Sequence, residues 1–149
     1  NISSKKLVSL NNVIKRNYKK TNNKKNGYFQ RSAQDWQIIE KRIDRENFLI
    51  KEFKLNRKYV GYIIHKDNTI FEYGYEMKYL KHFTIALQKN FNKFIEIKNP
   101  CAKIMNQLKN EVELNLTKRF CSYGGHMINC YNKRELYDLH YNINYFDEF

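Results

Sequence analysis

The stretch that decides the fold is KYVGYIIHKDNTIFEYGY, residues 58–75. It begins with a run of β-branched and aromatic residues from Tyr59 to Ile64, and a second such run extends from Thr69 to Tyr75. Lys66-Asp67-Asn68, between the two runs, has the composition of a turn. The stretch therefore predicts an antiparallel β-hairpin.

Apolar residues on both sides of this hairpin recur at helical spacing. Upstream, Trp36, Ile39 and Ile43 predict a helix over about 33–50, with Ser32 and Asp35 as its N-terminal capping box. Downstream, the same reasoning predicts helices over about 77–93 and 100–120, with a short strand at 94–97 between them. Together the elements predict an α+β fold, a small and mostly antiparallel sheet packed by helices.

Positive charge is concentrated at the start of the chain. The 149 residues carry a net charge of +13, and residues 1–31 contain nine basic residues and no acidic one. The remaining residues carry only +4. We therefore predict an extended basic arm over residues 1–31, followed by a single α+β domain over residues 32–149.

Such an arm is typical of proteins that bind nucleic acid, because its cations contact phosphates and release counterions. Asn and Tyr within it can also hydrogen-bond to bases or stack on them. A solubility or targeting tail, and an arm for an anionic membrane surface or an acidic partner, are the alternatives. The candidate nucleic-acid-binding residues are Lys5, Lys6, Lys15, Arg16, Tyr18, Lys19, Lys20, Lys24, Lys25 and Arg31.

The charge pattern favours a non-catalytic protein that binds nucleic acid. It does not distinguish RNA from DNA as the ligand. Its most concrete form is an RNA-binding structural component of a ribonucleoprotein, such as an organellar or parasite ribosome. The abundance of Asn, Lys, Ile and Tyr is typical of an AT-rich coding genome. Three cysteines, an odd number, and the lack of a long apolar run favour an intracellular protein with no membrane partner.

One group of residues has the side-chain types of a zinc site. Cys121, His126, Cys130 and His140 follow one another with the spacing C-x4-H-x3-C-x9-H. Structural zinc sites usually contain tighter pairs such as C-x2-C, so the sequence favours small core cysteines over metal ligands. No cofactor is predicted on this basis.

The hairpin also contains Gly61-Tyr62-Ile63-Ile64 and Phe71-Glu72-Tyr73-Gly74, and Glu113 follows in a later predicted helix. Over residues 58–139 this arrangement resembles the GIY-YIG nuclease domain in its short phage and large-DNA-virus form. The resemblance implies that Tyr62 and Tyr73 orient or activate the attacking water. It also implies that Lys81 or His82 steadies charge on the scissile phosphate, and that Glu113 or Glu111 holds one Mg²⁺.

A third hypothesis concerns the aromatic C-terminal segment, residues 130–149. Its tyrosines and phenylalanines either pack on the body of the protein or form a face for another protein. In the second case the chain would be a protein-interaction factor, for instance a viral or parasite effector.

Overall fold

The computed structural model describes residues 2–22, 30–91, 95–98 and 102–109. These residues form a five-stranded sheet with the strand order β1-β2-β3-β4-β5 and four helices. In chain order the elements are β1 (Ile2–Leu7), α1 (Asn12–Asn22), α2 (Ala33–Arg45), β2 (Leu49–Leu55), β3 (Lys58–Lys66), β4 (Thr69–Tyr75), α3 (Leu80–Asn90), β5 (Glu96–Ile97) and α4 (Ala102–Lys109). The predicted α+β fold is confirmed.

The predicted hairpin forms the centre of the sheet. β3 and β4 pair antiparallel, and the register places Tyr62 opposite Gly74 and Ile63 opposite Tyr73. β1 and β2 extend the sheet antiparallel on one side, while β5 joins β4 in parallel on the other. The short strand predicted near residue 96 is therefore present, and the sheet is mostly antiparallel.

Helices cover both faces of the sheet, which explains why β3 is buried almost throughout. Side chains of a strand point alternately to its two faces, so Tyr62 and Ile64 pack against α1 and α2. Ile63 points to the opposite face and packs against α3 and α4. We refer to these as the α1–α2 face and the α3–α4 face of the sheet.

The N-terminal residues correct the prediction of an extended arm. Residues 2–7 form an edge strand paired with β2, and residues 12–22 form a helix. Leu10, Ile14 and Tyr18 are buried in the core of the α1–α2 face. These buried residues form a packing surface, and α1 gains its stability from tertiary burial instead of from helix propensity.

The helix predicted over 33–50 is wrong at its C-terminal end. α2 ends at Arg45 because Asn47 adopts a left-handed conformation, with φ 58°. Phe48 N–H donates to the Ile43 carbonyl and Asn47 N–H to the Asp44 carbonyl, the hydrogen-bond pair of a Schellman motif. The chain then enters β2, a strand that the apolar pattern did not predict.

The helix predicted over 77–93 is shorter than expected, and only part of the helix predicted over 100–120 is described. Residues 77–79 form a single 3-10 turn, and α3 occupies residues 80–90 of the predicted 77–93. α4 covers residues 102–109 of the predicted 100–120, and the rest of that prediction lies outside the described residues. In the described part of the chain, no helix is long and apolar enough to cross a membrane.

Helix α1 lies close to the sheet at Gly74, where a side chain would not fit. A Cβ at this position would lie 2.5 Å from Asn17 Oδ1 and 2.5 Å from Tyr62 Cε1. Asn17 is itself buried, although it is polar. The glycine therefore sets the distance at which α1 packs, and with it the position of the basic residues on the outer side of the helix.

Candidate nucleic-acid interface

The basic residues of α1 lie on the side of the helix that faces away from the sheet. Ile14, Asn17 and Tyr18 are buried on its inner side. Successive residues of an α-helix are about 100° apart, so the basic residues span an outer arc of about 140°. We call them the α1 cationic face, which consists of Lys15, Arg16, Lys19 and Lys20.

Two carboxylates flank this face and pair with its outer lysines. Lys15 Nζ lies 3.6 Å from Glu40 Oε1 on α2, and Lys20 Nζ donates to Glu76 Oε1 at 3.1 Å. Arg16 and Lys19, at the centre of the arc, are exposed and form no ion pair with any residue in the described ranges. No acidic residue occurs in α1 itself. The centre of the face therefore carries positive charge that is available to an anionic ligand.

Arg31 has a different role, which corrects its prediction as a phosphate contact. Its Nη1 and Nη2 donate to Glu72 Oε1 and Oε2 at 3.1 and 2.6 Å, and both side chains are completely buried. The guanidinium carbon lies 3.9 Å from the centre of the Tyr18 ring and 4.6 Å from that of Trp36. Arg31 is a structural link between α1, α2 and β4.

Tyr18 and Tyr62 belong to the same buried network. Tyr18 is 2% exposed and meets the Trp36 ring edge-on, so the prediction that it stacks on bases is wrong. Tyr62 donates its hydroxyl hydrogen to Glu72 Oε1 at 2.7 Å. Burial raises the pKa of Tyr62 well above its ordinary value, and the Glu72 charge raises this pKa further. The hydroxyl therefore stays protonated and remains a donor.

A cavity of about 120 Å³ lies between α1 and the start of α2, next to the α1 cationic face. Its walls combine basic, aromatic and amide side chains. They are formed by Lys15, Tyr18, Lys19, Gln30, Arg31 and Trp36. The cavity therefore joins two cations of the proposed interface to an aromatic wall that the Arg31 network holds in place.

The other basic candidates are not part of this surface. Lys5 and Lys6 are exposed on β1, where they pair in register with Glu52 and Lys51. Because adjacent strand residues point to opposite faces, Lys5 lies on the α1–α2 face and Lys6 on the α3–α4 face. Lys24 and Lys25 lie outside the described residues.

The candidate nuclease residues that the structure describes do not all lie on one face of the sheet. Tyr62 is buried on the α1–α2 face, whereas Tyr73 packs on the α3–α4 face near Phe83. Lys81 and His82 lie on α3, on the same side of the sheet as Tyr73. Glu111 and Glu113 lie outside the described residues, so the nuclease hypothesis and its Mg²⁺ stay predictions.

The zinc candidates Cys121, His126, Cys130 and His140 also lie outside the described residues, as does the aromatic segment 130–149. In the ranges that are described, no group of three or more His, Cys, Asp or Glu side chains is placed to hold a metal ion. The zinc and protein-interaction hypotheses therefore stay predictions.

No protein-family model matches the chain, and searches of curated proteins and of solved structures give no significant match. The function of this protein is therefore inferred from its own residues. Sequence reasoning identified the cations of the α1 cationic face, but it missed Gln30 as a cavity residue and Glu72 as the partner of Arg31. Glu72 stands among aromatic and apolar residues in a strand, a position where a buried carboxylate requires a cationic partner.

Proposed function

We propose that this protein binds the phosphate backbone of nucleic acid through the α1 cationic face. The observation that carries the proposal is the concentration of four cations on one side of an acid-free helix. Arg16 and Lys19, at its centre, form no ion pair among the described residues. Phosphate oxygens are ligands for both residue types, and Arg binds them in a bidentate geometry.

The face is better suited to phosphates than to a protein carboxylate. Its cations project from a helix whose inner side is fixed by Ile14, Tyr18 and the close contact at Gly74, so their relative positions are set before binding. Rows of cations at fixed spacing match a repeating phosphate backbone. The overall charge of +13 supports binding to RNA and DNA alike, and we propose an RNA-binding structural component of a ribonucleoprotein as the concrete form to be tested.

The proposal predicts a salt-dependent affinity that depends on the centre of the face. The double substitution Arg16→Gln with Lys19→Gln should lower the affinity for labelled RNA and DNA roughly tenfold or more at low salt. It should also reduce the slope of log K against log salt by about 2, because each lost phosphate contact removes about one unit. Fluorescence anisotropy titrations at several salt concentrations measure both quantities.

A matched control removes the same charge from the opposite side of the molecule. Lys89 on α3 and Lys103 on α4 are exposed, and their double substitution to Gln should leave the salt slope nearly unchanged. Equal losses in the two variants would show that only net charge matters. No binding of either nucleic acid at low salt would refute the proposal. A preference for RNA in the same titrations would support the ribonucleoprotein form.

A further inference from the structure

The turn between β2 and β3 contains an arginine at a position where the backbone favours glycine. Leu55 and Lys58 pair across the end of the hairpin, so Asn56 and Arg57 form a two-residue loop. Both loop residues have a positive φ, 48° and 69°, as in a type I′ turn. Such turns favour Asn followed by Gly, because a Cβ is sterically unfavourable in the left-handed region. Asn56 fits this preference, and Arg57 does not.

Arg57 differs from the other residues in the left-handed region. Among the described residues, the other non-glycine residues with a positive φ are Asn47, Asn56 and Asp67. Asn and Asp tolerate this conformation because their short side chains hydrogen-bond to the nearby backbone. Arg57 is exposed and forms no ion pair in the part of the chain that the structure describes. Unfavourable backbone conformations of this kind are concentrated at functional sites.

The turn also carries a local excess of positive charge. Lys54 and Lys58 flank it, and no acidic residue occurs over residues 53–66. The carboxylate that precedes this range, Glu52, is buried and pairs with Lys54 Nζ at 2.9 Å. Lys58 is exposed and, like Arg57, has no ion-pair partner within the described ranges. The turn therefore presents two adjacent cations to an anionic ligand.

The turn lies at the end of the sheet where α1 ends. Lys20 of the α1 cationic face donates to Glu76, and the Glu76 N–H donates to the Val60 carbonyl at 2.9 Å. Arg57 precedes Val60 by three residues, which is about 10 Å along the strand direction. Successive phosphates of one duplex strand rise about 3.4 Å along the helix axis. A nucleic acid of a few nucleotides therefore spans both the α1 cationic face and the turn.

We propose that the β2–β3 turn is a second phosphate-binding site for the same nucleic acid, with Arg57 as its main contact and Lys58 beside it. A guanidinium binds phosphate oxygens in a bidentate geometry, which accounts for an arginine at this position. The inference rests on the proposed function. It adds the direction of the bound backbone, which runs from the centre of the α1 cationic face past Lys20 to the turn.

The substitution Arg57→Gly should change binding and stability in different directions. Glycine relieves the left-handed backbone, so the variant should melt at the wild-type temperature or up to about 4 °C above it. It should bind a labelled oligonucleotide roughly threefold to tenfold more weakly at low salt, and the slope of log K against log salt should fall by about 1. Thermal unfolding and fluorescence anisotropy measure the two effects.

Three further variants serve as controls. Arg57→Lys keeps the positive charge and the Cβ, so it should retain most of the affinity. Asn56→Gly alters the same turn without removing a charge, and Lys89→Gln removes one exposed charge from α3. Both should bind like the wild type. An unchanged affinity of Arg57→Gly, or a melting temperature below that of the wild type, would overturn the turn site.

The same titrations distinguish this inference from the proposed function. If Arg57→Gly binds like the wild type while the Arg16→Gln, Lys19→Gln variant loses affinity, the turn site is refuted and the α1 cationic face stands. If Arg57→Gly loses affinity and the double variant does not, the α1 cationic face is refuted and the turn site stands. Absence of wild-type binding at low salt would refute both.

Discussion

Arg31 joins three elements of the protein through a single side chain. Its guanidinium packs on Tyr18 of α1 and Trp36 of α2, and its hydrogen bonds end on Glu72 of β4. A buried ion pair of this type contributes little net stability compared with an apolar replacement of both partners, yet removal of one partner leaves an uncompensated charge. The effect of removing one partner and the effect of replacing both can be measured in separate variants.

We expect Arg31→Met to lower the free energy of unfolding by about 3–5 kcal/mol, because the Glu72 carboxylate would remain buried without its partner. Urea unfolding at neutral pH measures this loss. The double variant Arg31→Met with Glu72→Gln should recover part of it, since no buried charge remains. As a control, Arg45→Met removes a 76% exposed partner of Glu46 and should cost less than about 1 kcal/mol. A loss equally small for Arg31→Met would contradict this account.

His65 makes the stability of the α3–α4 face depend on pH. Its ring is buried beside Phe91, with Nδ1 3.1 Å from the Asp67 carbonyl oxygen. Burial lowers the pKa of His65, and the Lys51 charge acts in the same direction. The unfolded chain therefore binds more protons than the folded one as the pH falls through about 6.5. Stability is fully present above that pH and declines below it.

We accordingly expect the wild type to lose stability between pH values of about 7.5 and 5.5, and His65→Gln to lose less over the same range. Urea unfolding at both pH values measures the difference. A parallel decline in the two proteins would show that other groups cause the pH dependence.

At the scale of elements, local hydrogen bonds determine where α2 begins and where it ends. Ser32 Oγ accepts from the Asp35 amide at 3.2 Å, and Asp35 Oδ2 accepts from the Ser32 amide at 2.6 Å. This is the capping box that the sequence predicts. The other end depends on Asn47 in a left-handed conformation, and the β2–β3 turn similarly has Asn56 at φ 48° and Arg57 at φ 69°.

Loss of the Ser32 cap should therefore lower the free energy of unfolding of the whole protein. Ser32→Ala should lower the free energy of unfolding by about 1 kcal/mol, whereas Ser32→Asp should retain most of the stability. Thermal unfolding of both variants provides the comparison. Equal effects of the two substitutions would mean that the cap hydrogen bond contributes nothing to α2.

At the scale of the whole molecule, the basic N-terminal residues are part of the fold as well as the proposed interface. β1 extends the sheet, and α1 places Ile14 and Tyr18 in the core. Burial of one large apolar side chain contributes about 1.5–3 kcal/mol. Ile14 and Tyr18 together thus contribute about 3–6 kcal/mol, a large part of the total stability of a domain, which is about 5–15 kcal/mol.

Deletion of residues 1–22 should consequently abolish cooperative folding and not merely nucleic-acid binding. Circular dichroism during heating would show no cooperative transition for the deletion variant. The full-length Arg16→Gln, Lys19→Gln variant should melt like the wild type, since both side chains are exposed. A deletion variant with an unchanged melting temperature would restore the idea of a dispensable arm.

The features that the sequence predicted correctly depend on interactions between residues close together in the chain. The hairpin, the Ser32 cap and the α+β class follow from patterns within about twenty residues, and all three are confirmed. Strand β2 was not predicted, because its apolar residues continue the helical spacing of α2 and only the left-handed Asn47 separates them. The sequence identified the cations of α1 but assigned them to an unfolded arm.

The sequence by itself therefore determined the class of fold, the excess of positive charge and its concentration before residue 32. Only the tertiary structure decided which of those cations face outward. Arg31 pairs with Glu72, 41 residues further along the chain, and α1 packs close to the sheet at Gly74. These contacts join residues distant in sequence, and no local pattern encodes them. They convert a basic segment into one ordered cationic face with a cavity beside it.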